Sequence, residues 1–209
     1  MGVGISGQQY LWPGRTIFYI IDPDLPDPQR VHDAIAHWHA RTAIRFVSRS
    51  GEADHIVVTR QAGVAVCDVG RRGGAQKLAF GDGCTVGSII HELGHAVGLW
   101  HEHCRHDRDD WVEIDFTNIE DGCEGNFMQD FICDVATPTR DLGAYDYGSI
   151  MHYRADAFQI DPEWPTITPR QAIPTGVVMG QRDGLSAGDI AAVEEMYAGE
   201  PMPVADTGG

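Results

Sequence analysis

Any fold of this chain has to accommodate three histidines that one short stretch holds at fixed offsets. The stretch is His91-Glu92-Leu93-Gly94-His95-Ala96-Val97-Gly98-Leu99-Trp100-His101. His91 and His95 are four residues apart, so a helix sets them one turn apart on one face. Two imidazoles in that arrangement can grip one small cation. Glu92 follows the first histidine and lies beside such an ion. Gly98 comes three residues after His95, and glycine accepts the left-handed backbone that ends a helix and turns the chain. That turn brings His101 back toward the ion. In a straight helix His101 would stand roughly on the opposite side from His95. Three imidazoles with one open position are what a catalytic zinc needs, because a fourth protein ligand would fill the site and exclude water.

A bare H-E-x-x-H is a modest signal, since helices also carry histidines for packing or solvation. The added glycine and third histidine sharpen it. The five fixed residues should arise by chance in on the order of one in several thousand sequences this long. The extended pattern is the metzincin signature, which calls for a methionine-containing turn further on. The run Tyr145-Asp146-Tyr147-Gly148-Ser149-Ile150-Met151-His152-Tyr153 supplies it. A lone methionine is ordinarily core filler. Here Met151 answers an expectation and reads as the apolar floor under the zinc site. Tyr153, two residues later, has a phenol within reach of the metal.

Composition sets the frame. At 209 residues the chain fits one domain, with 43% apolar residues sufficient for a core. Thirty-one acidic against 15 basic side chains give a net charge of −16. So acidic a surface argues against nucleic acid and anionic membranes as partners. No apolar run approaches membrane-spanning length, and Met1-Gly2-Val3-Gly4 has no charged leader or apolar core. The expectation is therefore a mature domain with an added initiator methionine. The five cysteines, Cys67, Cys84, Cys104, Cys123 and Cys133, form no C-x-x-C pair. Disulfides, and with them an oxidising, extracellular compartment, are the better reading. The odd count leaves at least one thiol free or bonded to another chain.

Along the chain, Thr16 to Ile21 is β-branched and aromatic and reads as a strand. A helix follows from Pro28, with Val31, Ala34, Ile35, Trp38 and Thr42 at helical spacing. Ile44 to Val47, His55 to Thr59 and Lys77 to Phe80 are further strands. Val86 to Val97 is the metal helix. Val112, Ile114 and Phe116 alternate and read as extended. Residues 154 to 184, rich in proline and glycine, read as irregular. Ser186 to Tyr197 is a last helix, capped by Ser186 with Asp189 three residues on. The tail from Gly199 to Gly209 reads as disordered.

These residues resemble the astacin family of zinc endopeptidases, from Tyr10-Leu11-Trp12 almost to Tyr197. The family extends the zinc signature with a glutamate and then R-x-D-R-D, matched by Glu102 and by Arg105-His106-Asp107-Arg108-Asp109. Its methionine turn, S-x-M-H-Y, is matched by Ser149 to Tyr153. Supporting similarity lies in Gly73-Gly74-Ala75-Gln76, Gly180-Gln181-Arg182 and Leu185-Ser186-x-x-Asp189-Ile190. The resemblance implies an α+β, metzincin-like, two-lobed zinc protease domain over residues 1–198. Its N-terminal lobe, about 1–98, is a twisted sheet with two long helices. Its C-terminal lobe, about 99–198, is irregular and ends in a helix. The resemblance also implies one zinc per chain on His91, His95 and His101, with Tyr153 as a displaceable further ligand. It implies a secreted zymogen whose inhibitory propeptide is removed, the new N-terminus being buried near Glu102. Cys67 and Cys84 look like one family bridge. A second family bridge is missing, since Ala43 stands where a cysteine is usual, and Cys104, Cys123 and Cys133 are additions.

The reaction so implied is hydrolysis of internal bonds in a protein or peptide, with Glu92 as general base and Tyr153 as oxyanion donor. A zinc-containing binding protein without catalysis is the contrasting reading. Glu92 argues against it, because a structural zinc has no use for a base there. Another metzincin subclass is disfavoured by Glu102 and Tyr153. Arg154, Arg170 and Arg182 are candidates to attract acidic substrate residues.

Overall fold

The computed structural model describes residues 2–203 apart from 64, 130, 133, 134 and 137. The chain forms two compact units, each built from two stretches: Gly7–Leu99 with Val193–Gly209, and Met1–Ser6 with Trp100–Ala192. Neither is a single run of chain, unlike the lobes of about 1–98 and 99–198 expected from sequence.

The first of these units holds a five-stranded sheet. In chain order its strands are β2 (Thr16–Ile21), β3 (Arg45–Ser48), β4 (His55–Arg60), β5 (Ala65–Cys67) and β6 (Ala75–Phe80), and in space they run β3-β2-β4-β6-β5. All pairs are parallel except β5 with β6. A parallel pair needs a long crossover, and helix α1 (Gln29–Arg41) supplies it between β2 and β3. Val31, Ala34, Ile35 and Trp38 of α1 are buried at the spacing of one helical face. The Trp38 indole donates to Ile90 O at 3.2 Å, which ties α1 to helix α2 (Val86–Val97).

The other unit has no large sheet among its described residues. Its ladders are two-stranded: β1 (Gly2–Ile5) with β10 (Thr139–Leu142), β7 (Val112–Ile114) with β11 (Ile167–Pro169), and β8 (Phe131–Ile132) with β9 (Val135–Ala136). Val112, Ile119, Phe127, Tyr145, Tyr147 and Ile167 form its buried apolar cluster. Arg105 is buried and donates to Gly2 O, Leu142 O and Gly143 O at 2.8, 3.0 and 2.9 Å, fastening β1 and β10. Helix α3 (Ala187–Met196) opens on a reciprocal cap: Asp189 N donates to Ser186 Oγ and Ser186 N to Asp189 Oδ2, both at 2.9 Å.

Several sequence expectations change. Strand β7 stops at Ile114 because Asp115 caps a 3-10 turn there, accepting from Thr117 N at 3.0 Å. Strand β1 occupies residues read only as lacking a leader. In the tail, Glu200 accepts from Gly14 N at 3.0 Å, and residues 204–209 lie outside the described residues. Cys67, Cys84, Cys104 and Cys123 are all free thiols, so the expected Cys67–Cys84 bridge is absent. The strand register offsets Cys67 from the strand end that leads to Cys84. Antiparallel pairing sets Ala65 opposite Phe80 and Cys67 opposite Leu78. Cys67 thus lies about 7 Å along the ladder from the end at which the chain leaves for Cys84. Burial pushes the Cys104 thiol up to about 12, which keeps it unreactive. Cys133 lies outside the described residues.

Candidate metal centre

Helix α2 carries the histidines because its sequence makes it a core helix with defined ends. Thr85 caps the start, its Oγ1 accepting from Ser88 N at 3.2 Å. Ile89, Ile90, Leu93, Ala96 and Val97 are buried, and His91, Glu92 and His95 are buried with them. Gly98 ends the helix at φ 117°, ψ 9°. Gly98 N donates to His95 O at 2.8 Å and Leu99 N to Gly94 O at 2.9 Å, the paired closure of a Schellman turn.

Along this continuous stretch, His91, His95 and His101 each offer a nitrogen, and the three atoms lie within 4.8 Å of one another. The His91 and His95 rings are 4.8 Å apart and nearly perpendicular, at 85°. The His95 tautomer follows from its partner. Its Nδ1 is 2.8 Å from Leu99 O, and a carbonyl only accepts, so Nδ1 carries the proton and Nε2 keeps its lone pair. Three imidazole nitrogens so grouped fit a zinc ion, which binds the neutral ring.

His101, His103 and Cys104 also bring donor atoms within 4.8 Å. They form a poorer site. The His101 and His103 rings stack at 16°, so their lone pairs run side by side and do not converge. His103 Nε2 and Cys104 Sγ are both engaged by Asn126 O, at 3.1 and 3.4 Å. Burial pushes His103 well below the ordinary imidazole range, so it is neutral.

The methionine turn is built around a carboxylate. Ser149 Oγ donates to Asp189 Oδ1 at 2.6 Å and Ile150 N to Asp189 Oδ2 at 2.9 Å. Met151 N donates to Ser149 Oγ at 3.0 Å, and Met151 O accepts from Glu102 N at 3.1 Å. Met151 is buried. Burial raises the Asp189 carboxyl, against the hydrogen bonds from Ser149, Ile150 and Ser186. The Ser186-x-x-Asp189 pattern marks a helix cap in the sequence; nothing in it marks Asp189 as the anchor of a turn 40 residues upstream.

Tyr153 has its ring 4.3 Å from that of His101 and 4.4 Å from that of His103. Glu102 is fully buried, and Asp146 N donates to its Oε1 at 2.8 Å. Its Oε2 has no hydrogen-bond partner among the described residues. Burial pushes this carboxyl well up, and Arg105 at 3.9 Å pulls it back. Each of the three arginines that are candidates for acidic substrate residues has an acceptor in the fold, and Arg154 and Arg170 stay exposed. Arg182 donates to Ile150 O and Gln181 O at 2.9 and 2.8 Å. Arg154 pairs with Asp156 at 2.7 Å and Arg170 with Glu113 at 3.5 Å.

A family model described as Astacin, a peptidase family, matches residues 4–198. Nematocyst expressed protein 6 of Nematostella vectensis is 40% identical over 195 residues, 90% of this chain and 66% of that protein. Human Tolloid-like protein 2 is 40% identical over 199 residues, 92% of this chain and 19% of that protein. The chain therefore spans only 19% to 66% of the length of these two relatives. High choriolytic enzyme 1 of Oryzias latipes, a hatching enzyme zinc-protease, superposes with a TM-score of 0.75. It is 35% identical, and 92% of each chain is covered.

Proposed function

The chain belongs to the astacin family of peptidases and carries a zinc metalloendopeptidase domain of that family, from which we propose that it hydrolyses internal peptide bonds with one zinc held by His91, His95 and His101. The observation that carries this reading is the set of three imidazole donors within 4.8 Å, beside a buried glutamate on the helix that carries His91 and His95. A zinc ion held by these three residues would supply a Lewis acid for the scissile carbonyl and for the attacking water, whose pKa it would lower toward ~7. Glu92 takes the proton of the attacking water and passes it to the leaving amine. Tyr153 would serve as a displaceable further ligand and donate its phenol hydrogen bond to the developing oxyanion. Met151 floors the site, and Gly98 directs His101 into it. The histidines hold metal only when neutral, so binding weakens in acid.

Secretion as a zymogen is part of the same reading. The buried Glu102 Oε2 offers a receptor for the positively charged end that propeptide removal creates. Among the described residues no helix is long and apolar enough to cross a membrane.

The test is casein cleavage by metal-loaded protein beside Glu92→Gln, with zinc measured in both. The variant should keep its zinc and lose activity by about 10³-fold or more. Full activity in the variant would remove Glu92 from the mechanism. Inactivity of both, each with one zinc, would favour a zinc-containing binding module.

A further inference from the structure

Three non-glycine residues among those described have left-handed backbone: Arg15 at φ 55°, Asp27 at 49° and Phe158 at 54°. A bulky aromatic residue is the least expected of the three there, because its Cβ crowds the following carbonyl. The backbone around Phe158 enforces the conformation. Glu120 N donates to Phe158 O at 2.8 Å and Ile160 N to Asn118 O at 2.9 Å. The buried Asn118 then clamps the loop beyond, donating to Trp164 O at 2.6 Å and accepting from Asp161 N at 2.8 Å.

Apolar burial gives no sufficient reason for this strain, since Phe158 stays 37% exposed. Its ring faces Tyr153, with centroids 5.7 Å apart at 47°, and Phe127, at 6.1 Å and 79°. The aromatic neighbours of Tyr153 include His101 at 4.3 Å, His103 at 4.4 Å, and Phe127 and Phe158 at 5.7 Å. His103 and Phe127 are fully buried and form the inner walls. Phe158 is the outer wall. Its centroid distances lie in the range of attractive aromatic pairs. Strained residues that their surroundings over-determine concentrate where a side chain must be aimed.

We propose that Phe158 is a positioning residue that closes the slot around Tyr153 and sets the direction in which its phenol leaves His101. The proposal rests on the role given to Tyr153 above. It makes Phe158 act on turnover through Tyr153, without a direct part in substrate binding.

The experiment is a double-mutant cycle of Phe158→Ala and Tyr153→Phe in metal-loaded protein, with kcat, KM, zinc content and melting temperature measured for each. Phe158→Ala should lower kcat by about 10-fold, a share of the 10²–10³ expected for the whole donor. KM should stay within about 2-fold. In the Tyr153→Phe background the same substitution should have no further effect. With Cu(II) in place of zinc, the phenolate-to-copper absorption should shift in Phe158→Ala and vanish in Tyr153→Phe. Equal losses in both backgrounds, a loss confined to KM, or an unmoved copper band would overturn the proposal. A fully active Tyr153→Phe would instead remove the role of Tyr153, and this inference with it. If Phe158→Ala does not fold, Phe158→Leu takes its place in the cycle with the same outcomes.

Discussion

Gly98 shows how much one residue controls. At φ 117° it permits a turn that a side chain resists, and His101 follows three residues later. Gly98→Ala should cost about 1–2 kcal/mol, the penalty of an L-residue in left-handed backbone. It should also weaken zinc binding, because relaxation of the turn moves His101. Thermal melting of metal-free protein and competitive zinc titration measure the two effects; undiminished affinity would show that the turn does not aim the ligand. The spacing of His91, His95, Gly98 and His101 made this legible in advance. Phe158 was not legible. Its backbone angle comes from contacts with residues 118–120, and no local pattern announces an aromatic side chain in left-handed backbone.

At the scale of elements, legibility followed periodicity. Strand β2 has the bounds that its sequence suggests, Thr16–Ile21, with Ile17 and Tyr19 buried in alternation; helix α2 has its expected bounds, Val86–Val97, because Thr85 caps its start and Gly98 ends it. Strand β1 has four residues, two of them glycine, and pairs Gly2 with Leu142. So short a run has no alternation to count, and its partner is far away in sequence. The methionine turn belongs here too. Its motif is readable, but its support is the Asp189 carboxylate of α3, which accepts from Ser149, Ile150 and Ser186. Asp189→Ala should strand these donors and destabilise the protein by about 2–4 kcal/mol. Asp189→Asn should cost less, since its amide still offers one acceptor. Chemical denaturation compares them, and equal stability of the alanine variant and the parent would show the carboxylate to be dispensable.

For the whole molecule, acid is the informative variable. Burial holds His152 down at about 4, although Tyr153 O favours its charged form; the ring lies 2.7 Å from both Tyr145 Oη and Tyr153 O. Unfolded, this imidazole titrates near 6.5. The unfolded chain therefore binds the extra proton first, and stability is lost as pH falls from about 6.5 toward 4. Glu102 and Asp189, both raised by burial, bias the profile the other way. His152→Gln isolates the histidine share: its stability should fall less between pH 7 and 4 than the parent's, and parallel profiles would contradict the assignment. The sequence by itself determined which three histidines come together, the glutamate beside the first of them, the helix that carries two of them and the place at which it stops, because these depend on spacing within one stretch. Only the tertiary structure decided that Cys67 and Cys84 stay apart and that the two chain ends exchange units. It alone set Asp189 under the methionine turn and Phe158 against Tyr153. Those outcomes depend on strand register and on contacts between distant residues, which no local pattern encodes.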